Sequence, residues 1–234
     1  GSMLAYWLSD LDQKNIVGLE KSSVIPSDIA STAHASDFVY NTTHDKLGCW
    51  TTEFSRKFYE DNGFFLKKGG LEICRKDDDA RWEELKRKVS SGKAFGTNVR
   101  LISAAEAKEK FPLLEEASIR GAMWDPDAGL VTPRSQDVVS FAVETAKEKG
   151  ALKTFTDTPA LDFEIEDGKV VGVKTDKGII KTDKVVIASG IWGPLMGKKA
   201  GVAVPLMPLE HPLLFFGPLP EAQDATDFLV YPLQ

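Results

Sequence analysis

The chain has 234 residues, 42% of them hydrophobic, enough for one large domain or two small ones with a sizeable core. Its 29 basic and 35 acidic side chains leave a net charge of -6, and phosphate backbones need a concentrated positive face, so nucleic acid is excluded as an expected partner. No apolar run reaches the roughly 18 residues of a membrane helix, and no signal peptide or metal knuckle is indicated. A soluble, reducing compartment with no membrane partner and no bound metal is therefore expected.

Residues Gly1 to Leu8 open a helix with Leu4, Leu8 and Leu11 on one face, and Asn15 to Glu20 follow as a short apolar strand ending in an acid. This order is the back half of a dinucleotide-binding βαβ unit. There a glycine-rich turn lets a pyrophosphate sit on the helix N-terminus, and a carboxylate about 20 residues on accepts a ribose hydroxyl. Gly1 stands where the third glycine belongs and Glu20 where the carboxylate belongs, while the first strand and the first two glycines are not in this sequence. Two plainer readings stand beside this one: Gly-Ser-Met is also a scar of tag removal, and a helix followed by a strand ending in Glu occurs in many α/β proteins.

A polar stretch from Ser22 to Thr43 follows, too irregular for a helix and long for a connection without a role. Phe54, Phe58 and Tyr59 mark an amphipathic helix ending near Asn62-Gly63. Phe64 to Leu66 and Leu71 to Cys74 flank Gly69-Gly70 as an expected hairpin. Asp77 to Asp79 cap a helix from Ala80 to about Lys88, whose run Lys86-Arg87-Lys88 reads as a solvated mixed-charge face. Ser103 and Glu106 form a capping box, and that helix stops before Pro112. Gly121 to Trp124 reads as a strand, and a helix runs from near Pro133 to Gly150. Residues Leu161 to Thr182 form a small meander with D-G and K-G turns. Lys184 to Gly190 has the apolar run of a parallel strand buried on both faces.

In this order and spacing, five segments carry a resemblance. They are Ser31-Thr32-Ala33-His34-Ala35, Gly69-Gly70-Leu71-Glu72, Phe111-Pro112-Leu113-Leu114, Val185 to Gly193, and Val204 to His211. With them the chain resembles the FAD-dependent amine oxidases of the D-amino-acid oxidase type, most closely the dimethylglycine oxidase and dehydrogenase branch. The resemblance implies an α/β fold: a Rossmann-like FAD-binding domain, lacking its first strand here, over about 1–45 and 133–203, and a sheet-based substrate domain over 46–132 and 204–234. It also implies a fragment of a larger protein.

The implied reaction is oxidation of an N-methyl amino acid such as dimethylglycine or sarcosine by hydride transfer to flavin. The implied cofactor-binding residues are Gly1, Glu20, Lys21, Ser31, Thr32, His34, Ala160, Gly190, Trp192 and Gly193. In the family the histidine matched by His34 lies against the flavin, and in several members it is bonded to it. Imidazole suits that role because its neutral nitrogen is nucleophilic near neutral pH. Family members usually continue with a small residue, proline or glycine where this chain has Ser36-Asp37.

His211, in a Pro-Leu-x-His pattern, is the expected catalytic residue, holding or accepting a proton beside the substrate amine. Pro212 stands where a polar residue is usual. A small-molecule amine is the expected partner, with folate a further one in a full-length protein. The expected location is cytoplasmic, or the mitochondrial matrix in a eukaryote. A non-catalytic regulatory or binding relative on the same flavoprotein scaffold is the alternative function. His44 matches no motif and reads as a surface residue, and Trp7 as the buried face of the first helix.

Overall fold

The computed structural model describes residues 1–210 together with Val230 and Tyr231. In chain order the first elements are α1 (Ser2–Asp10), β1 (Ile16–Leu19), a 3-10 turn (Ser31–His34), β2 (Phe38–Val39), α2 (Lys46–Asp61), β3 (Phe65–Lys67) and β4 (Gly70–Arg75). Then come α3 (Asp79–Ala94), β5 (Arg100–Ser103), α4 (Ala104–Lys110), a 3-10 turn (Glu116–Ser118), β6 (Ile119–Asp125), β7 (Gly129–Val131), α5 (Ser135–Glu148) and β8 (Leu152–Phe155). The last are β9 (Ala160–Glu166), β10 (Lys169–Thr175), β11 (Gly178–Lys181), a 3-10 turn (Gly190–Trp192), α6 (Gly193–Lys199) and β12 (Val230–Tyr231). They form two compact units. Among the described residues, one contains Gly1–Ala35 and 135–210; the other contains Ser36–Arg134 and β12. The crossings thus fall at 35/36 and 134/135, whereas the sequence alone suggests divisions near 45 and 133.

In the first unit β1 and β8 pair in parallel, Ile16 opposite Leu152 and Leu19 opposite Phe155. Helices α1 and α5 pack together, and Ala5, Val143, Ala146 and Leu152 form their shared core. Leu4, Leu8 and Leu11 were expected on one face of the first helix, but Leu4 is 41% and Leu11 70% exposed, and the face turned inward carries the buried Ala5 and Ser9. Small side chains win that face because they let α5 approach closely, and the Ser9 hydroxyl meets its own need by donating to the Tyr6 carbonyl at 2.6 Å. Strands β9, β10 and β11 form the expected meander, and its core of Phe163, Val173 and Met196 also takes in Leu19, Ala160 and Val185.

The run from Lys184 to Gly190 is not a strand: residues 184–189 have no regular structure, and Gly190 opens a 3-10 turn. A parallel strand exists only where neighbours take its ladder bonds. Among the described residues β1 pairs with β8 alone, and nothing pairs with this run.

In the second unit the sheet order is β12-β4-β6-β5, with β12 parallel to β4 and the other pairs antiparallel. Because side chains alternate along a strand, Leu71 and Ile73 join Ala107 of α4 in one cluster while Cys74 joins Leu85 and Val89 of α3 in another. Each fully buried Leu of this kind contributes roughly 1.5–3 kcal/mol. The Ser103–Glu106 capping box forms as expected, and both cysteines are buried free thiols.

The expected hairpin at Gly69-Gly70 is absent. Strand β3 pairs with β7 in a three-stranded sheet, β2-β7-β3, and β4 pairs with β6. Gly69 has φ +76°, and a Cβ there would fall 2.0 Å from Cη2 of Trp124. This left-handed glycine, lying under the indole, hands the chain from one sheet to the next rather than folding it back.

Candidate functional site

Leu19 ends β1, and the backbone of Glu20 is locked by two further bonds: its N–H donates to the Phe155 carbonyl and its carbonyl accepts from the Thr158 N–H, each at 2.9 Å. One carboxylate oxygen accepts the Ser22 N–H at 2.8 Å. The neighbouring Lys21 lays its ammonium 4.2 Å from the ring centroid of Trp192. This cation–π contact joins the end of β1 to the turn before α6.

Gly190 is left-handed at φ +52° with open space where a Cβ would lie, and Gly193 is buried with only a Val204 methyl nearby, at 3.9 Å. Between Ala188 and Gly190, the Ser189 hydroxyl is buried without a partner. A Cβ on Gly1 would lie 3.4 Å from that of Ala188, so the start of α1 meets the same segment.

Of the residues singled out from sequence, the structure thus joins Lys21 with Trp192, sets Ala160 beside Leu19 in one cluster, and brings Gly1 to the segment leading into Gly190. Ser31, Thr32 and His34 lie on the 3-10 turn that packs on α5, with His34 exposed. His211 lies outside the described residues. Sequence reasoning passed over Ser189, which no motif marks. An orphaned buried hydroxyl, an open left-handed glycine and a locked carboxylate fit a ligand carrying hydroxyls and phosphates, as a dinucleotide does.

The second unit holds a cleft of ≈ 190 Å³ lined by residues that include Phe38, Tyr40, His44, Glu72, Arg81 and Asp125. Glu72 is buried and receives Lys88 Nζ at 2.7 Å and Arg81 Nη2 at 2.6 Å. Lys88 is therefore not part of a solvated face: at 8% exposure it is a core cation, because Glu72 neutralises it. Arg81 also donates to Glu84 at 2.9 Å, and this bond holds the Glu84 carboxyl below its ordinary range. His44, on the surface as expected, reaches Glu84 at 3.2 Å.

Burial pushes the Asp125 carboxyl above its ordinary range, although its oxygens accept the N–H groups of Asn41 and Asp127. The folded protein then holds that proton more tightly than the unfolded chain does. The stability it contributes is present below the ordinary carboxylate value and is lost as pH rises through the elevated one. Thermal unfolding across that window should shift in favour of Asp125→Asn relative to the wild type as pH rises. A difference that stays constant with pH would contradict the assignment.

Parallel strands β1 and β8, packed with helices α1 and α5, and the flanking sheets make this an α/β protein. The chain belongs to the FAD dependent oxidoreductase (DAO) family, whose model matches residues 1–234. It is 31% identical over 170 residues to human mitochondrial sarcosine dehydrogenase, covering 67% of this chain and 17% of that one. The 4-methylaminobutanoate oxidase (formaldehyde-forming) of Paenarthrobacter nicotinovorans is 30% identical, covering 90% and 26%. A mouse mitochondrial pyruvate dehydrogenase phosphatase regulatory subunit is 28% identical, covering 90% and 24%. The chain thus spans about a sixth to a quarter of these relatives' length. Among solved structures, L-proline dehydrogenase from P. horikoshii matches with a TM-score of 0.77 at 29% identity, covering 86% of this chain and 53% of that one. No helix among the described residues is long and apolar enough to cross a membrane.

Proposed function

We propose that this chain is the FAD-holding part of an oxidoreductase that oxidises an N-methyl amino acid, dimethylglycine or sarcosine. The observation that carries the reading is the group formed by Glu20, Lys21, Trp192 and the Ser189–Gly193 turn, together with relatives named for sarcosine, dimethylglycine and 4-methylaminobutanoate. Glu20 would accept a ribose hydroxyl. Gly1, Gly190 and Gly193 would admit the backbone to the pyrophosphate, and Ser189 would donate its unpaired hydroxyl. Ala160 would line the adenine side. Ser31, Thr32 and His34 would face the flavin ring, with His34 a candidate for a bond to it. FAD, when bound, supplies the hydride acceptor. His211 would hold the proton of the substrate amine so that the nitrogen lone pair is free.

The full-length protein would take a small amine and, in a folate-using relative, pass on the one-carbon unit. Its place would be the cytoplasm, or the mitochondrial matrix in a eukaryote, as several relatives are named mitochondrial. The likeness to the phosphatase regulatory subunit favours one second reading, a regulatory protein on the same scaffold. A protein that binds FAD but is not bleached by amines would select it.

Glu20→Ala tests the cofactor assignment. A charge-assisted hydrogen bond contributes roughly 1.5–3 kcal/mol, so FAD titration followed by fluorescence should show affinity lower by roughly 10- to 150-fold. Equal affinity in the variant would contradict the ribose role.

A further inference from the structure

Strands β1 and β8 are parallel, so their carboxyl ends, Leu19 and Phe155, lie at one edge of the pair. In open α/β sheets ligands bind outside that edge. Two segments leave it: Glu20 to Ser22 after β1, and residues 156–159 between β8 and β9. Backbone bonds tie them together, from the Thr158 N–H to the Glu20 carbonyl at 2.9 Å and from the Asp157 N–H to the Ser22 carbonyl at 3.0 Å. The loop after β8 therefore stands beside the residue whose carboxylate is proposed for the ribose.

Those two bonds use N–H groups of the loop and leave its acceptors to another donor. Lys177, in the turn between β10 and β11, is that donor: its ammonium reaches the Thr158 hydroxyl at 2.9 Å and the Thr156 carbonyl at 3.4 Å. The Thr158 hydroxyl gives its own proton to the Thr156 carbonyl at 2.7 Å, which leaves its lone pairs for the lysine. Thr158 is 4% exposed, so the exposed Lys177 ends on a buried group. Asp157, between the two gripped residues, is left-handed at φ +46°, a sparsely populated conformation that the surrounding bonds must hold. Lys177 is itself fixed, since its N–H donates to the Thr175 hydroxyl and that hydroxyl donates to the Gly178 carbonyl. Thr175 pairs with Ala160, the first residue of β9, so the sheet also joins this turn to the loop. All of these residues belong to the first unit.

We propose that Lys177 is a positioning residue for the adenosine half of the cofactor: by holding Thr156 and Thr158 it sets the loop that borders the adenosine beside Glu20. The proposal rests on the FAD reading above, and its test separates the two. The flavin-free full-length protein is titrated with FAD and with ADP, which carries the adenosine and the pyrophosphate without the flavin. The variants are Lys177→Met, Lys177→Arg, Thr158→Val and the double variant Lys177→Met/Thr158→Val. Thr158 is buried and its change can disturb folding, whereas Lys177→Met keeps the aliphatic stem of an exposed side chain and removes only the donor.

Lys177→Met should bind both FAD and ADP roughly 3- to 10-fold more weakly, the size of one net hydrogen bond, while Lys177→Arg, still a charged donor, stays close to the wild type. The double variant should lose less than the two single losses together, because both changes break one contact. The visible band of bound FAD should keep its shape, since the change lies at the adenosine end. Wild-type affinity for both ligands in Lys177→Met, whatever its unfolding temperature, would overturn the proposal and leave the lysine as a fold contact. Weaker FAD binding with unchanged ADP binding would also overturn it, because the effect would then lie away from the adenosine. A wild-type protein that takes up neither FAD nor ADP would overturn the FAD reading itself, and the proposal with it.

Discussion

Replacing Glu72 by Gln should destabilise the protein by about 3–5 kcal/mol, the cost of leaving the buried Lys88 cation without its counter-charge. Glu72 joins Lys88 and Arg81, whose side chains are 9% and 17% exposed. A neutral amide can still accept a hydrogen bond from one of them, but it returns no charge, and Lys88, at 9% side-chain exposure, has little contact with water to compensate. Chemical denaturation should show a lower midpoint with an unchanged slope. Replacing Glu72 and Lys88 together by Met should recover much of the loss, since a buried pair exchanged for apolar side chains of similar size is often near neutral. A Glu72→Gln loss below about 1 kcal/mol, the usual range of a surface pair, would mean that the cleft is wetter than this network implies.

His211→Ala should slow flavin reduction by dimethylglycine or sarcosine about 10²-fold or more, the usual size of a general acid–base contribution. The effect should shrink at high pH, where the substrate amine loses its proton without help. Stopped-flow reduction measured across pH separates this from packing. A variant that reduces at the normal rate at every pH yet unfolds several degrees lower would make His211 a packing residue instead.

Local signals were read well from sequence where the deciding interactions are local. The Ser103–Glu106 capping box, the turns of the β9–β11 meander and the strand that leads into Glu20 depend on residues within a few positions of each other. The misreadings share the opposite cause. Lys184 to Gly190 has strand composition, but a strand needs a neighbour, and none of the described residues supplies one. Gly69-Gly70 has hairpin composition, but the Trp124 ring, far along the chain, decides what the left-handed glycine does. Lys88 sits in a run of charge, and only the partner on β4 makes it a buried cation.

The candidate site divides in the same way. Gly190 was legible because its left-handed backbone, φ +52°, favours glycine. Ser189 and the contact of Lys177 with Thr158 were not, since an orphaned hydroxyl and a long-range hydrogen bond leave no periodic trace. Asp37 was visible only as a departure from the residues usual after His34. The structure shows what that departure does: it makes a left-handed turn and holds an arginine.

The most direct test of the account is anaerobic mixing of the FAD-loaded protein that contains this chain with sarcosine and with dimethylglycine, following the visible flavin band. The account predicts a yellow protein that retains FAD through gel filtration and is bleached by at least one of the two amines. A protein that emerges colourless after incubation with FAD, or one that stays yellow with both amines, would contradict it.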